Sequence, residues 1–230
     1  MFFMDHYYLV LVVPTLLLSL WAQFKVKSTF SKYSKIPSSR KISGQQSAAL
    51  LLKANSILDV KIESVAGSLT DHYDPSSRVV RLSQPVYGMN SIAAIGVAAH
   101  EAGHAIQHAT RYGPLVLRST LVPVANIGSR FGPLIAMAGL FFLESIPILF
   151  PIGILLFSGA VLFYVITLPV EFDASARAIA ILRENNVLTH DELKGVQKVL
   201  TAAALTYVAS ALTAMMSLLR LILIARGRRR

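Results

Sequence analysis

At 230 residues the chain is long enough for one domain with a real core, but 54% hydrophobic residues, only 15% charged ones and a mean hydropathy of +0.57 exclude an ordinary soluble domain. A net charge of +10 would suggest nucleic acid in a soluble protein; here the basic residues crowd beside apolar runs, which fits the positive-inside bias and anionic lipid, so a lipid bilayer and no nucleic acid is the expected partner. With no cysteine there is no disulfide framework and no thiolate site, and any metal must be held by His and carboxylate.

Tyr7 to Phe24 is an apolar run of spanning length, with Pro14 positioned to kink it and Trp21 suited to an interface. It lacks a basic leader and a good cleavage site, so it reads as an anchor, residues 1–24. Lys25, Lys27, Lys32, Lys35, Arg40 and Lys41 follow at once, which places the amino terminus outside and the next loop in the cytoplasm. Ser43 and Gln46 form a capping-box pattern opening a helix to about Ile57. Asp59 to Glu63 alternates at period two and Val79 to Leu82 is a second candidate strand, so two short strands are expected. The stretch between them, Gly67 to Pro75, reads as a turn. The edge of a strand near Val79 to Leu82 would suit a peptide substrate bound by backbone pairing.

Asn90 or Ser91 caps a helix from Ile92 to Ala109, alanine-rich and free of proline. Two spans follow, Val124 to Leu143 and Ile148 to Leu168, joined by a tight turn at Glu144 to Pro147; Arg130 in the first must snorkel or face protein. Pro169 is expected to end or kink the second span, and a new helical stretch to begin at Glu171 and reach about Leu182. Asn185-Asn186 breaks it. Thr189 and Glu192 form a second capping box, and the helix they open runs into the apolar stretch Val199 to Ile224. Four spans return both termini to one side, yet Arg226 and Arg228 to Arg230 favour an inside carboxyl terminus; the last helix is the first suspect for one that does not cross. The fold class expected is mainly α: a multi-pass helical membrane protein with a small α/β insertion of two strands.

The helix from Ile92 carries His100-Glu101-Ala102-Gly103-His104, the H-E-x-x-H pattern. Residues four apart share a helix face, so His100 and His104 can offer two imidazole nitrogens to one Zn²⁺, with Glu101 placed as general base toward a water on that metal. The bland alternative is two surface histidines on an amphipathic helix. Gly103 would leave room for a close approach beside the metal. A third ligand is needed. Position 110 is threonine, and His108 lies about 12 Å from His100 along the axis, too far to share a metal. Glu171 is the best carboxylate, because two spans after His104 bring the chain back to the same side; Asp173 is a weaker candidate. Their bland reading is a charge near a helix N-terminus. Asp173, His72, Tyr73 and His108 are candidates for touching ligands or substrate, with His72 or Tyr73 as an oxyanion donor. An Asp-rich turn at Asp71 and Asp74 is more often just a turn.

The stretches Leu69 to Pro75, Arg81 to Ser83, Ala98 to His108, Leu168 to Arg177 and Ala203 to Val208 together resemble the YugP-type membrane protease family, small bacterial membrane zinc metallopeptidases, over most of the chain from Gly44 onward. The resemblance implies a zinc-dependent membrane peptidase with one Zn²⁺ on His100 and His104 and base Glu101. A wider similarity is to integral-membrane gluzincins of the HtpX and CAAX-processing type, which place a membrane hairpin before an E-[FY]-x-A-D whose Glu is the third ligand. Here that stretch is Glu171-Phe172-Asp173-Ala174-Ser175, which supports Glu171 and replaces the final Asp by Ser175. Asp173, Asp71 or Asp74 is then expected to orient a histidine instead.

The resulting division is the anchor 1–24 and a metallopeptidase domain 25–230: a catalytic α/β part 25–118, a membrane hairpin 121–170, a third-ligand helix and link 171–198, and a carboxyl-terminal apolar helix 199–225. The expected function is a membrane-embedded zinc endopeptidase with a cytoplasmic active site, acting on a peptide or membrane-protein substrate. The competing expectation is a non-catalytic, metal-binding membrane scaffold. Oligomeric state is not specified by the sequence.

Overall fold

The computed structural model describes residues 5–228 of the chain. The protein is mainly helical, with one small sheet. Among the described residues four helices are long and apolar enough to cross a membrane: Tyr8–Ser34, Gly113–Phe141, Leu149–Glu184 and His190–Gly227. The chain divides into two compact units, one of Met1–Gln23, Val116–Leu168 and Leu205–Arg230, the other of Phe24–Leu115 and Pro169–Ala204.

In the first unit, a π-helical turn at Tyr8–Val12 leads into α1 (Val13–Ser34), which continues well past Phe24. α5 (Gly113–Phe141) and α6 (Leu149–Glu184) form the expected hairpin, though α5 begins eleven residues before Val124, and Pro123 and Pro133 lie inside it. Glycine sets their approach: a Cβ on Gly132 would stand 2.7 Å from the Phe157 backbone nitrogen, and Gly128, Gly139 and Gly153 likewise face backbone atoms of the opposing helix. Small residues replace bulk with backbone-to-backbone contact, which is how helices bind where lipid offers no hydrophobic drive. Arg130 is exposed on α5 with its guanidinium 5.6 Å from the Phe131 ring centre. α7 (His190–Arg228) is, like α5 and α6, long and apolar enough to cross. Its Arg220 donates to Asp5 at 2.9 Å from Nε and 2.5 Å from a terminal nitrogen, and stacks 5.1 Å from the Tyr8 ring centre. Ser19 and Thr213 also share a hydrogen bond, 3.3 Å, between α1 and α7.

The second unit is built round α4 (Ile92–Ala109), buried on nearly every side. The capping box at Ser43 is present: its hydroxyl accepts from Gln46 N–H at 3.2 Å, and Gln46 Oε1 accepts from Ser43 N–H at 2.8 Å. The helix it opens, α2 (Gly44–Ala54), stops short of Ile57. Leu51, Ile95, Ile106, Leu182 and Val196 are fully buried in one core with Leu82, each large aliphatic side chain contributing about 1.5–3 kcal/mol. A single-turn helix α3 (Gln84–Tyr87) precedes α4.

The sheet differs from expectation. It has three strands, β1 (Lys61–Val65), β2 (His72–Asp74) and β3 (Val79–Ser83), in the order β1-β3-β2. β1 runs parallel to β3 with Lys61 opposite Val79; β2 runs antiparallel with Tyr73 opposite Val80. The stretch read as a turn therefore contains a strand, too short for alternation to register. β3, with Val79, Val80, Leu82 and Ser83 buried, is the central strand. Both its edges are taken, so it has none left for a substrate. Pro169 is the other correction: α6 runs unbroken through it to Glu184, so Glu171 lies inside a long helix and not in the first turn of a new one. The break at Asn185-Asn186, with Asn186 at φ +50°, and the Thr189–Glu192 box are as expected.

Candidate metal centre

α4 is started by Ser91, whose hydroxyl accepts from Ala94 N–H at 3.2 Å, and it places His100, Glu101 and His104 on its third and fourth turns. The 169–184 part of α6 lies directly against this segment. A Cβ on Gly103 would stand 2.6 Å from the Ala174 carbonyl oxygen and 3.2 Å from its Cα, so only glycine permits the two backbones to come this close. The room expected beside the two histidines is thus filled by the helix that carries Glu171.

That approach brings three donor groups together. Glu171 Oε2 lies 3.3 Å from His100 Nε2 and 3.7 Å from His104 Nε2. All three ligand atoms fall within 4.8 Å of one another. Glu171 is 2% exposed, His104 9% and Glu101 8%, which removes the reading of two surface histidines. A carboxylate facing two imidazole edges in a buried site is the donor set of a cation, and two nitrogens with one oxygen suit Zn²⁺ with an open position. Asp173 does not join the cluster; its Oδ2 accepts from Arg177 Nε at 2.6 Å and from Gln107 Nε2 at 2.8 Å.

The opposite nitrogens are also held. His100 Nδ1 is 3.0 Å from Ser175 Oγ, and His104 Nδ1 is 3.0 Å from Gln107 Oε1. The serine that replaces the expected aspartate therefore occupies the orienting position, with a hydroxyl in place of a carboxylate. Gln107 was not foreseen, although it sits three residues after His104 on the same helix, a spacing that lets side chains meet. Asp173 reaches His104 only through this amide. Asp71 and Asp74 orient no histidine: Asp71 accepts from Ser83 N–H at 2.7 Å and from its hydroxyl, and Asp74 accepts from Ser76, Ser77 and Arg81.

Tyr73 OH is 2.8 Å from His108 Nδ1, which ties β2 to α4 one turn beyond His104. His72 is exposed, and its ring nitrogen pairs with the Thr70 carbonyl at 2.8 Å. Electrostatics follow burial. Desolvation pushes the Glu101 carboxyl up; His100 and His104 oppose this, while Glu171 and Asp71 add to it. Burial works against charge on His104, but its contact with Glu171 and the charges of Glu101 and Glu171 outweigh it and raise the ring's pKa. Burial also raises the Tyr73 phenol, helped by the charge of Asp74.

Among the described residues, then, a buried His-His-Glu cluster able to hold a metal stands with helices long and apolar enough to cross a membrane. The chain belongs to the family described as "Putative neutral zinc metallopeptidase", whose model matches residues 8–226. It is 51% identical over 217 residues to the "Putative membrane protease YugP" of Bacillus subtilis (strain 168), covering 94% of this chain and 96% of that one. No solved structure matches the chain.

Proposed function

We propose that this protein is a zinc-dependent membrane endopeptidase in which His100, His104 and Glu171 hold one Zn²⁺. The observation that carries the reading is the convergence of Glu171 Oε2 on both Nε2 atoms in a buried site. Bound there, zinc supplies Lewis-acid polarisation of the scissile carbonyl and makes a water acidic enough to attack near neutral pH. Glu101, next to His100 in sequence, takes the proton from the attacking water as the C–O bond forms. It returns that proton to the amide nitrogen as the C–N bond breaks. Ser175 and Gln107 hold the rings from behind.

With β3 central, the substrate edge moves to β2, which pairs with β3 alone among the described residues and carries the Tyr73 bond to α4. An extended peptide or an unfolded stretch of a membrane protein could add there as a further strand. Four crossings, with the basic run after Phe24 on the cytoplasmic side, support a multi-pass protein whose active site faces the cytoplasm.

The test is the purified full chain in detergent, assayed by mass spectrometry on a mixed peptide library, with and without a chelator. Cleavage that stops on chelation, returns with zinc and is absent in Glu101→Gln supports the proposal. Cleavage indifferent to chelator, or purified protein without stoichiometric zinc, overturns it.

A further inference from the structure

We infer that Gln107 is the positioning residue of this centre: it fixes which nitrogen of His104 is free to bind a metal, and it locks α4 to the backbone one residue before Glu171. Arg177 Nε donates to Asp173 Oδ2 at 2.6 Å, with the guanidinium also 5.6 Å from the Tyr112 ring centre, so that oxygen is an acceptor. Gln107, 0% exposed, places Nε2 2.8 Å from that same oxygen and 2.8 Å from the Val170 carbonyl. Both partners are acceptors, so the atom facing them is the NH₂. The amide cannot be turned round without setting its oxygen against two other oxygens.

With the amide's orientation settled, its Oε1 is what faces His104 Nδ1 at 3.0 Å. An oxygen there requires Nδ1 to carry hydrogen. In the neutral ring Nε2 then holds the lone pair, and Nε2 is the atom that faces Glu171. Arg177 and Gln107 therefore both donate to Asp173, and His104 donates to Gln107, so each bond fixes the orientation of the next group. The bond to Val170 adds a second task. Val170 is 0% exposed and adjoins Glu171 in α6, so one buried side chain positions the nitrogen of one ligand and the backbone of another.

This inference takes the metal site from the reading above, but its first test needs no metal. The full chain, ¹⁵N-labelled at histidine, is examined metal-free in detergent by NMR at a pH high enough to keep the rings neutral, with His104→Ala giving the assignment. The expected result is His104 protonated at Nδ1 in the native chain, and loss of that preference in Gln107→Met, which keeps volume but no hydrogen bonds. The second readout is zinc affinity by chelator competition, expected to fall roughly 10–100-fold in Gln107→Met and by less in Asp173→Ala, where the Val170 bond survives. Native His104 protonated at Nε2 overturns the inference without any variant having to fold. So does a folded Gln107→Met with unchanged tautomer and zinc affinity. Failure of the metal reading looks different: His104→Ala would keep its zinc while the native tautomer stays as described.

Discussion

Gly103→Ala puts the geometry under the sharpest test, because propensity and packing point in opposite directions. In an exposed helix interior this change stabilises by about 1 kcal/mol. Here the new methyl would sit 2.6 Å from the Ala174 carbonyl oxygen, against an ordinary carbon–oxygen contact of about 3.4 Å. The neighbour is backbone, so no rotamer relieves it, and the two helices must part by roughly 0.8 Å, the difference of those distances, at a cost of about 1–3 kcal/mol. Ala174 lies one turn from Glu171, so the carboxylate moves with it. Metal–ligand bonds tolerate only about ±0.2 Å. The expected outcome is a folded protein of equal or lower thermal stability whose zinc affinity, by chelator competition in detergent, falls at least 10-fold, toward the value of Glu171→Ala. A Gly103→Ala protein that is more stable than the native chain and binds zinc as tightly would refute the close-approach argument.

Other expectations follow from the same contacts. Glu101→Gln should keep stoichiometric zinc and lose about 10²–10⁴-fold in turnover; equal turnover would remove Glu101 as the base. Glu171→Ala should lose stoichiometric zinc, whereas Asp173→Ala should retain it at somewhat reduced affinity; the reverse order, read by metal analysis of the purified proteins, would make Asp173 the ligand. Ser175→Ala should weaken zinc binding by about 10-fold and Ser175→Asp should recover it, since a carboxylate also accepts from the His100 ring; indifference to both would show that His100 needs no orienting partner. Asp5→Ala or Arg220→Leu should each lower stability by about 1.5–3 kcal/mol through loss of a charge-assisted hydrogen bond, while Asp5→Leu with Arg220→Leu should recover part of the loss, read by thermal unfolding in detergent.

What could be read in advance depended on how local its cause is. The Ile92–Ala109 helix is set by a serine cap, an alanine-rich run and the Thr110 stop, all neighbours in sequence, and its bounds match to the residue. Both capping boxes are three-residue events and were equally visible. His72–Asp74 was hidden because a three-residue strand owes its existence to β3, its antiparallel partner, and not to its own pattern. Of the end or kink expected at Pro169, the end does not occur: the missing N–H normally stops a helix, but here the helix continues to Glu184, with Ala178 and Leu182 in the core that α4 shares. At the site, His100, Glu101 and His104 are one motif. Glu171 came from topology and resemblance combined. The orienting groups were missed because a carboxylate was sought, and the structure uses a hydroxyl and an amide. Ser175 and Gln107 are ordinary residues in a sequence; only the fold puts them against the rings.

The Asp5–Arg220 pair has a consequence for biogenesis. Its two members are 215 positions apart, near opposite ends of the chain. During synthesis Asp5 is made 215 residues before its partner. Each charge alone is costly at a lipid-facing position. Until α7 docks, the Asp5 carboxylate has its bond from Tyr8 N–H but not the one from Arg220, and a chain cut short before Arg220 never forms the ion pair.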